Sequence, residues 1–485
     1  MIEPVSIESM SRKAFDDLIR SARAAGRRWR RDSIAERLRV VERLRRRIAE
    51  DAETLAASVD RRPVPDTLTA EVLPLADACK FLERRAAALL APRTERRGRP
   101  AWLAGTRLEI LREPLGLVLI LAPSNYPLFL PGVQLLQALT AGNSVLVKPA
   151  PGCSAPMRLL AGWLQDAGLP PGTLTILDES VEAAETAIEA GVDKVLLTGS
   201  LATGQTVLSR LAGSATPATM ELSGCDAVFV RNDADLKLTA RSLAFALKLN
   251  GGATCIGPRR MFVHQDIHQG MVEHLAAEVR NAERVPIPAA MAGKLRGWLS
   301  EAERDGAQVV CGGIDEQDTM APTVVDGVPV GSPLLSANLM LPLISVIPVQ
   351  GDEQALIRDS ECPYALGATV FGGEAGARAL AQRIRAGVVV INDAVVPTAD
   401  PRLPFGGSGL SGFGVTRGAE GLLELTRTKA VSTRSGRGRP HLDPPVGDET
   451  RLFSAYARAA HGSPGMRVRG WIELLKTVIA RAGRK

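Results

Sequence analysis

The stretch Leu249-Asn250-Gly251-Gly252-Ala253-Thr254-Cys255 sets one cysteine just after an Asn-Gly-Gly turn. Upstream lie Glu221-Leu222-Ser223-Gly224 and, further back, Pro123-Ser124-Asn125-Tyr126-Pro127. A thiol, a carboxylate and a carboxamide are the groups needed to oxidise an aldehyde through a thioester. The thiol attacks the carbonyl, the amide holds the developing oxyanion, and the carboxylate activates the water that releases the acid. Gly251 and Gly252 let the chain turn tightly and approach a substrate closely. Taken singly, each residue also has a plain reading. Most cysteines are buried and inert, a glutamate caps a helix or pairs with a cation, and an asparagine steadies its own turn.

The elements that must position these groups alternate along the chain. Apolar residues at helical spacing (Ala14, Leu18, Ile19, Ala22, then Leu38, Val41, Leu44, Ile48) predict helices over roughly 11–60. Arg61 to Asp66 breaks that pattern, and a further helix is expected from about Thr69 to Leu90. Arg107–Glu113 alternates as a strand. Gly116–Ala122 is apolar throughout, as a strand buried on both faces should be. Ser144–Lys148 and Lys194–Leu197 follow with helical stretches between them. This rhythm predicts a doubly wound, Rossmann-like, mostly parallel α/β sheet, whose ligands gather at the C-terminal ends of the strands. The Asn125 loop, Lys148 and the Thr198-Gly199-Ser200 turn all fall there. A second α/β block runs from about Cys225 to Leu425, with strands at 261–263, 345–349, 368–371 and 387–392. Thr433–Asp448 reads as irregular. A last helix, about Val468–Ala482, puts Trp471, Leu474, Leu475, Val478 and Ile479 on one face and ends in Arg481, Arg484 and Lys485. Docking on the body or on a partner subunit is the reading set first for it, with an acidic membrane surface beside it.

Composition bounds the rest. A chain of 485 residues, 45% hydrophobic and 23% charged, is that of a soluble globular protein of two or three domains. The net charge of +6 comes with Arg-rich runs near residues 27–31 and 45–47. These sit in helical pattern and have no nucleic-acid-binding motif beside them, so a solvated face is expected and no nucleic acid partner. The six cysteines are scattered without a Cys-x-x-Cys pair, and the five histidines make no His-Glu-x-x-His pattern, so neither a disulfide framework nor a metal is expected. The polar N-terminus is unlike a signal peptide, and no apolar run is long enough to span a bilayer. A reducing, cytoplasmic setting is the expectation.

The ordered set Asn125, Lys148, Glu221, Cys255 and Pro404-Phe405-Gly406-Gly407 resembles the aldehyde dehydrogenase superfamily over about residues 10–435. The resemblance implies that family's fold: two doubly wound α/β domains, one for cofactor and one for catalysis, with a small oligomerisation ribbon. It implies boundaries of 1–222 for the NAD(P)-binding domain (interrupted by ribbon strands near 100–114), 223–425 for the catalytic domain, 426–436 for a ribbon strand and 437–485 for a C-terminal extension. Residue by residue, Cys255 matches the nucleophile, Glu221 the general base and Asn125 the oxyanion amide. Lys148 matches the lysine on the adenosine ribose. Thr198, Gly199 and Ser200, with Gly204 beyond, match the turn opening a helix under the pyrophosphate. Phe405 matches a structural loop near the site. The activity implied is NAD- or NADP-dependent oxidation of an aldehyde to an acid. CoA-dependent release of the acyl group and an inactive scaffold of the same fold are the alternatives. Gly407–Gly412 spells Gly-x-Gly-x-x-Gly, but no buried strand leads into it, so it reads as a glycine-rich loop.

The sequence departs from the family in three places. Pro151 stands where a ribose-gripping glutamate is common; without that carboxylate, NADP should be tolerated or preferred. Asn338-Leu339-Met340-Leu341-Pro342 replaces Glu-x-Phe-Gly-Pro, leaving Asn338 as a neutral partner for the nicotinamide ribose. Ser223 and Ala253 replace the usual Gly and Gln. Pro151 and the run Arg437-Gly438-Arg439-Pro440 loosely resemble class-3-type members, which take aromatic or medium-chain aldehydes. The Arg107–Glu113 strand and Lys429–Thr433 match the ribbon, implying a homodimer or a dimer of dimers.

Overall fold

The computed structural model describes residues 12–436, 439–442, 444–445 and 447–482. It divides into two compact units, one of residues 12–93 with Ile110–Ala430, the other of Thr94–Glu109 with the described residues from Val431 onward.

The first unit holds two twisted sheets. One has the order Gly412–Phe413, Ala218–Glu221, Lys194–Thr198, Leu117–Leu121, Ser144–Lys148, Leu174–Ile176. Its strands run parallel except the short Gly412–Phe413 edge, which pairs antiparallel with Ala218–Glu221. Leu117–Leu121 is buried along its whole length at the centre. Because side chains alternate across a strand, Val118 and Ile120 enter one core with Leu135, Leu136 and Leu160, while Leu117, Leu119 and Leu121 enter another with Phe15 and Ile19. This is why the run carries no polar residue. The helices expected at the N-terminus form as Arg12–Trp29 and Ile34–Glu50, the second opened by a Ser33/Glu36 capping box. The Thr69–Leu90 helix begins as a π-helical turn, Leu68–Val72, and continues as Leu73–Leu90.

The second sheet has the order Val285–Pro286, Thr319–Asp326, Leu343–Val349, Pro258–His264, Asp226–Val230, Gly367–Phe371, Val388–Ile391, with Gln308–Ile314 paired to Thr319–Asp326. The five strands from Leu343–Val349 to Val388–Ile391 are parallel. Strands Leu174–Ile176, Ala218–Glu221, Asp226–Val230, Gln308–Ile314 and Thr319–Asp326 join those expected from the sequence. Strands Arg93–Glu95, Thr106–Pro114 and Thr426–Arg434 form a three-stranded ribbon.

In the second unit the helices Glu449–His461 and Pro464–Ala482 pack together. Their seam is built of small residues: Ala455, Ala459 and Gly470 are buried, and a Cβ on Gly470 would come within 2.3 Å of the Ala459 nitrogen. The Thr433–Asp448 stretch holds the end of a strand and a short turn at Pro440–Leu442. Arg437, Gly438, Arg484 and Lys485 lie outside the described residues.

Candidate active site

Three strand ends of the first sheet bring the expected groups to one place. Asn125 lies on the loop after Leu117–Leu121, Thr198 closes Lys194–Thr198, and Glu221 closes Ala218–Glu221. From the other side comes the turn before Pro258–His264. There Asn250, Gly251 and Gly252 all have positive φ (54°, 59° and 78°). Gly252 admits no side chain, since a Cβ would stand 2.3 Å from the Pro342 nitrogen. The turn is tied to the Asn125 loop. Asn125 Nδ2 donates to the Ala253 carbonyl (3.0 Å) and Asn250 Nδ2 donates to the Asn125 carbonyl (3.0 Å). The hydroxyls of Tyr126 and Thr254 meet at 2.7 Å.

Cys255, Glu221 and Asn125 line one cavity of about 550 Å³ together with Thr198, Gly199, Ser200 and Asn338. Its remaining wall is largely apolar, with Phe129, Leu130, Phe245, Ile256, Val396 and Phe405. Lys148 and Gly204 do not line it. Gly204 sits in the helix Leu201–Leu211, where a Cβ would come within 2.7 Å of the Leu222 side chain; glycine lets this helix settle on the Glu221 segment. Gly412 of the glycine-rich loop pairs with Glu221 itself, and the Leu222 N–H donates to the Ser411 carbonyl. That loop therefore braces the Glu221 segment, as a loop and not as a dinucleotide fingerprint.

Glu221 is buried and accepts hydrogen bonds from the hydroxyls of Thr198 (2.8 Å) and Thr416, and from the Gln134 amide at 3.4 Å. Burial pushes its pKa up, while the Thr416 hydroxyl, the Arg417 charge and the Thr198 hydroxyl pull it back. The Cys255 thiol is pushed up to about 12 by burial, with the negative charges of Asp226 and Glu221 adding to it and Arg417 opposing. The resting thiol is thus protonated at neutral pH, and its environment favours proton transfer at the moment of attack over a standing thiolate.

Several contributors carried no sequence signal. Arg417 lines the cavity from a backbone with φ of 60°; its guanidinium donates to the Thr398 carbonyl (2.7 Å) and stacks on the Phe405 ring at 4.2 Å. Arg62 and Glu71 form a buried ion pair under the Asn125 loop, their side chains 7% and 0% exposed. Glu71 accepts from the N–H groups of Leu128 (2.8 Å) and Phe129 (2.9 Å), capping the helix Phe129–Ala141, while Arg62 donates to the Asn125 carbonyl (3.3 Å) and stacks on Tyr126. Glu179 accepts from the backbone N–H groups of Gly152 (2.6 Å), Cys153 (3.1 Å) and Ser154 (2.8 Å). Although burial works against its charge, these donors hold the carboxyl below its usual range. Lys148 lies within reach of that charge; burial lowers the lysine's pKa, and Glu179 and Asp178 oppose the lowering.

The model of the aldehyde dehydrogenase family matches residues 3–431. The chain belongs to the aldehyde dehydrogenase family. Like its relatives, it is an oxidoreductase that acts on aldehydes. It is similar to the vanillin dehydrogenase of Pseudomonas fluorescens, at 31% identity over 70% of this chain and 73% of that protein. It is similar to the 4,4'-diapolycopene aldehyde oxidase of a Methylomonas species, at 26% identity over 93% of this chain and 87% of that protein. In fold it matches the aldehyde dehydrogenase of Bacillus cereus solved as an NAD+ complex, with a TM-score of 0.80 and 23% identity over 87% and 89% of the two chains.

Two features of this aldehyde dehydrogenase fit a dinucleotide. The Asn338 side-chain oxygen is buried without a hydrogen-bond partner among the described residues, yet its residue lines the cavity, where a ribose hydroxyl would satisfy it. The helix Leu201–Leu211 opens at Ser200 on the cavity wall, its N-terminus suited to a pyrophosphate. Met340, with φ of 48°, lines the same wall.

Proposed function

We propose that this protein oxidises an uncharged, largely apolar aldehyde to its carboxylic acid, with NAD(P)+ as acceptor. The observation that carries the reading is the meeting of Cys255, Glu221 and Asn125 in one mostly apolar cavity. The first 222 residues form the cofactor domain and 223–425 the catalytic domain in this reading.

Cys255 Sγ attacks the aldehyde carbon as the thiol proton passes to water in the cavity. The oxyanion of the thiohemiacetal is held by Asn125 Nδ2 and the Cys255 N–H, each such donor being worth about 3–4 kcal/mol. Lys148, the Thr198-Gly199-Ser200 turn and Asn338 would hold NAD(P)+, which would supply the hydride acceptor for oxidation of the thiohemiacetal to a thioester on Cys255. Glu221, its proton affinity raised by burial, then takes a proton from water as that water attacks the thioester. The acid leaves and the thiol is restored.

On Pro151 alone, a 2′-phosphate would meet no repulsion. The Glu179 carboxylate, bound to the Gly152–Ser154 N–H groups beside Lys148, supplies from a different loop the charge that Pro151 lacks. NAD+ is therefore the preferred cofactor in this reading, reversing the expectation drawn from Pro151. The ribbon strands support a homodimer, and a dimer of dimers is the larger assembly they allow.

The test follows NAD(P)H absorbance with purified protein, aromatic and aliphatic aldehydes, and each cofactor, with and without CoA. Turnover without CoA that is lost in Cys255→Ala is expected. Turnover only with CoA would assign acyl-CoA formation instead.

A further inference from the structure

Unlike the seam it shares with its neighbour, the outer face of the helix Pro464–Ala482 is bare. Val468, Trp471, Ile472, Leu475, Val478 and Ile479 are between 48% and 62% exposed. Their spacing of three and four places them in one stripe along a helix whose 19 residues span about 28 Å. The opposite face is the covered one: Gly470 and Thr477 are buried, and Glu473 pairs with Arg458 (2.5 Å) and Arg451 (3.7 Å).

Arg467, Arg469 and Lys476 are exposed. On a helical wheel Arg467 borders one edge of the stripe, and Arg469 and Lys476 border the other. No carboxylate among the described residues forms an ion pair with any of the three. The acidic side chains of this helix pair, Glu449 and Glu473, are engaged by Arg481 and by Arg451 and Arg458.

We propose that this stripe binds an anionic lipid surface, with the helix lying in the plane of the interface. A broad apolar face carrying a tryptophan and edged by cations is what such a surface accommodates. A second copy would offer the same face with the same cations and no carboxylate to meet them. No helix among the described residues is long and apolar enough to cross a membrane, so the binding is peripheral.

The test sediments the full-length protein with vesicles of phosphatidylcholine mixed with phosphatidylglycerol, and with phosphatidylcholine alone. Binding to the anionic vesicles only is expected, weakening as salt is raised. The double variant Leu475→Glu/Ile479→Glu should lose at least about tenfold in partition. The triple variant Arg467→Gln/Arg469→Gln/Lys476→Gln should lose about a hundredfold, at roughly fivefold per cation. Aldehyde oxidation in solution should be unchanged in both, which shows that they fold. No binding to anionic vesicles, or equal binding by the double variant, overturns the proposal. So does an oligomer that falls apart in the double variant, which would assign the stripe to a second copy of the chain.

Discussion

Replacing Glu179 with Gln should shift the balance between NADP+ and NAD+ about tenfold toward NADP+. The carboxylate is pinned by three backbone N–H groups at 2.6 to 3.1 Å, so it cannot swing aside without giving up those bonds. Its charge is also felt at Lys148, the residue assigned to the adenosine ribose. NAD+ presents hydroxyls there; NADP+ presents a phosphate of about two negative charges. A repulsion of about 1.4 kcal/mol across this half-exposed, solvent-screened site corresponds to a factor of about ten. Gln keeps an acceptor oxygen for the N–H groups and removes the charge. The assay is titration of each cofactor by fluorescence quenching at fixed ionic strength, with wild type, Glu179→Gln and Lys148→Ala. A Kd ratio that moves by less than about twofold in Glu179→Gln would refute the electrostatic argument. Unchanged binding of both cofactors by Lys148→Ala would instead refute the placement of the ribose.

Glu221→Gln should keep one round of NAD(P)H formation per active site and then slow steady turnover by about 10²–10⁴, because Gln can replace the bonds to Thr198 and Thr416 but cannot take a proton from water; stopped-flow absorbance reads both phases, and steady turnover close to wild type would count against the base. The same variant should alkylate faster at Cys255 above the pKa of Glu221, since the glutamate's negative charge raises the thiol's pKa and its removal lowers it; iodoacetamide labelling followed by peptide mapping measures this, and a slower rate would contradict it. In the wild type without cofactor, that labelling should climb with pH through neutrality and beyond, as a thiol at about 12 requires; a plateau near pH 7 would show a standing thiolate. Glu71→Gln should cost about 3–5 kcal/mol of stability, because it strands the buried Arg62 charge, and should lower turnover through the Asn125 loop; a change in urea-unfolding stability below about 1 kcal/mol would show that the pair carries little.

What the sequence displayed was whatever is local. Leu117–Leu121 was legible because a strand buried on both faces must be apolar at every position. Cys255, Glu221 and Asn125 were legible because each lies in a short run that resembles a motif of the family, in the family's order. Thr416 and Arg417 were not, since they reach Glu221 and the cavity from nearly two hundred positions away, separated by 195 residues in the Thr416–Glu221 bond. Glu71 looked like one more polar residue on a helix, and only the fold reveals that it caps the helix at Phe129. Glu179 reaches the Gly152–Ser154 N–H groups from another loop, so the Lys148 motif read alone does not contain it. The helix Glu449–His461 was missed because its buried positions are alanines, which give a weak apolar period. The bare stripe of the last helix was visible as a pattern, but only the structure shows that it stays uncovered.

In the proposed reaction the acyl group passes through a thioester on Cys255 and leaves by hydrolysis. The most direct measurement is peptide mass spectrometry of Glu221→Gln, quenched in acid after mixing with aldehyde and NAD+. The acyl mass is expected on the peptide carrying Cys255, and is expected to be absent when NAD+ is omitted. An acyl group on another residue, or NADH formed with no covalent adduct while the variant stalls, would contradict it.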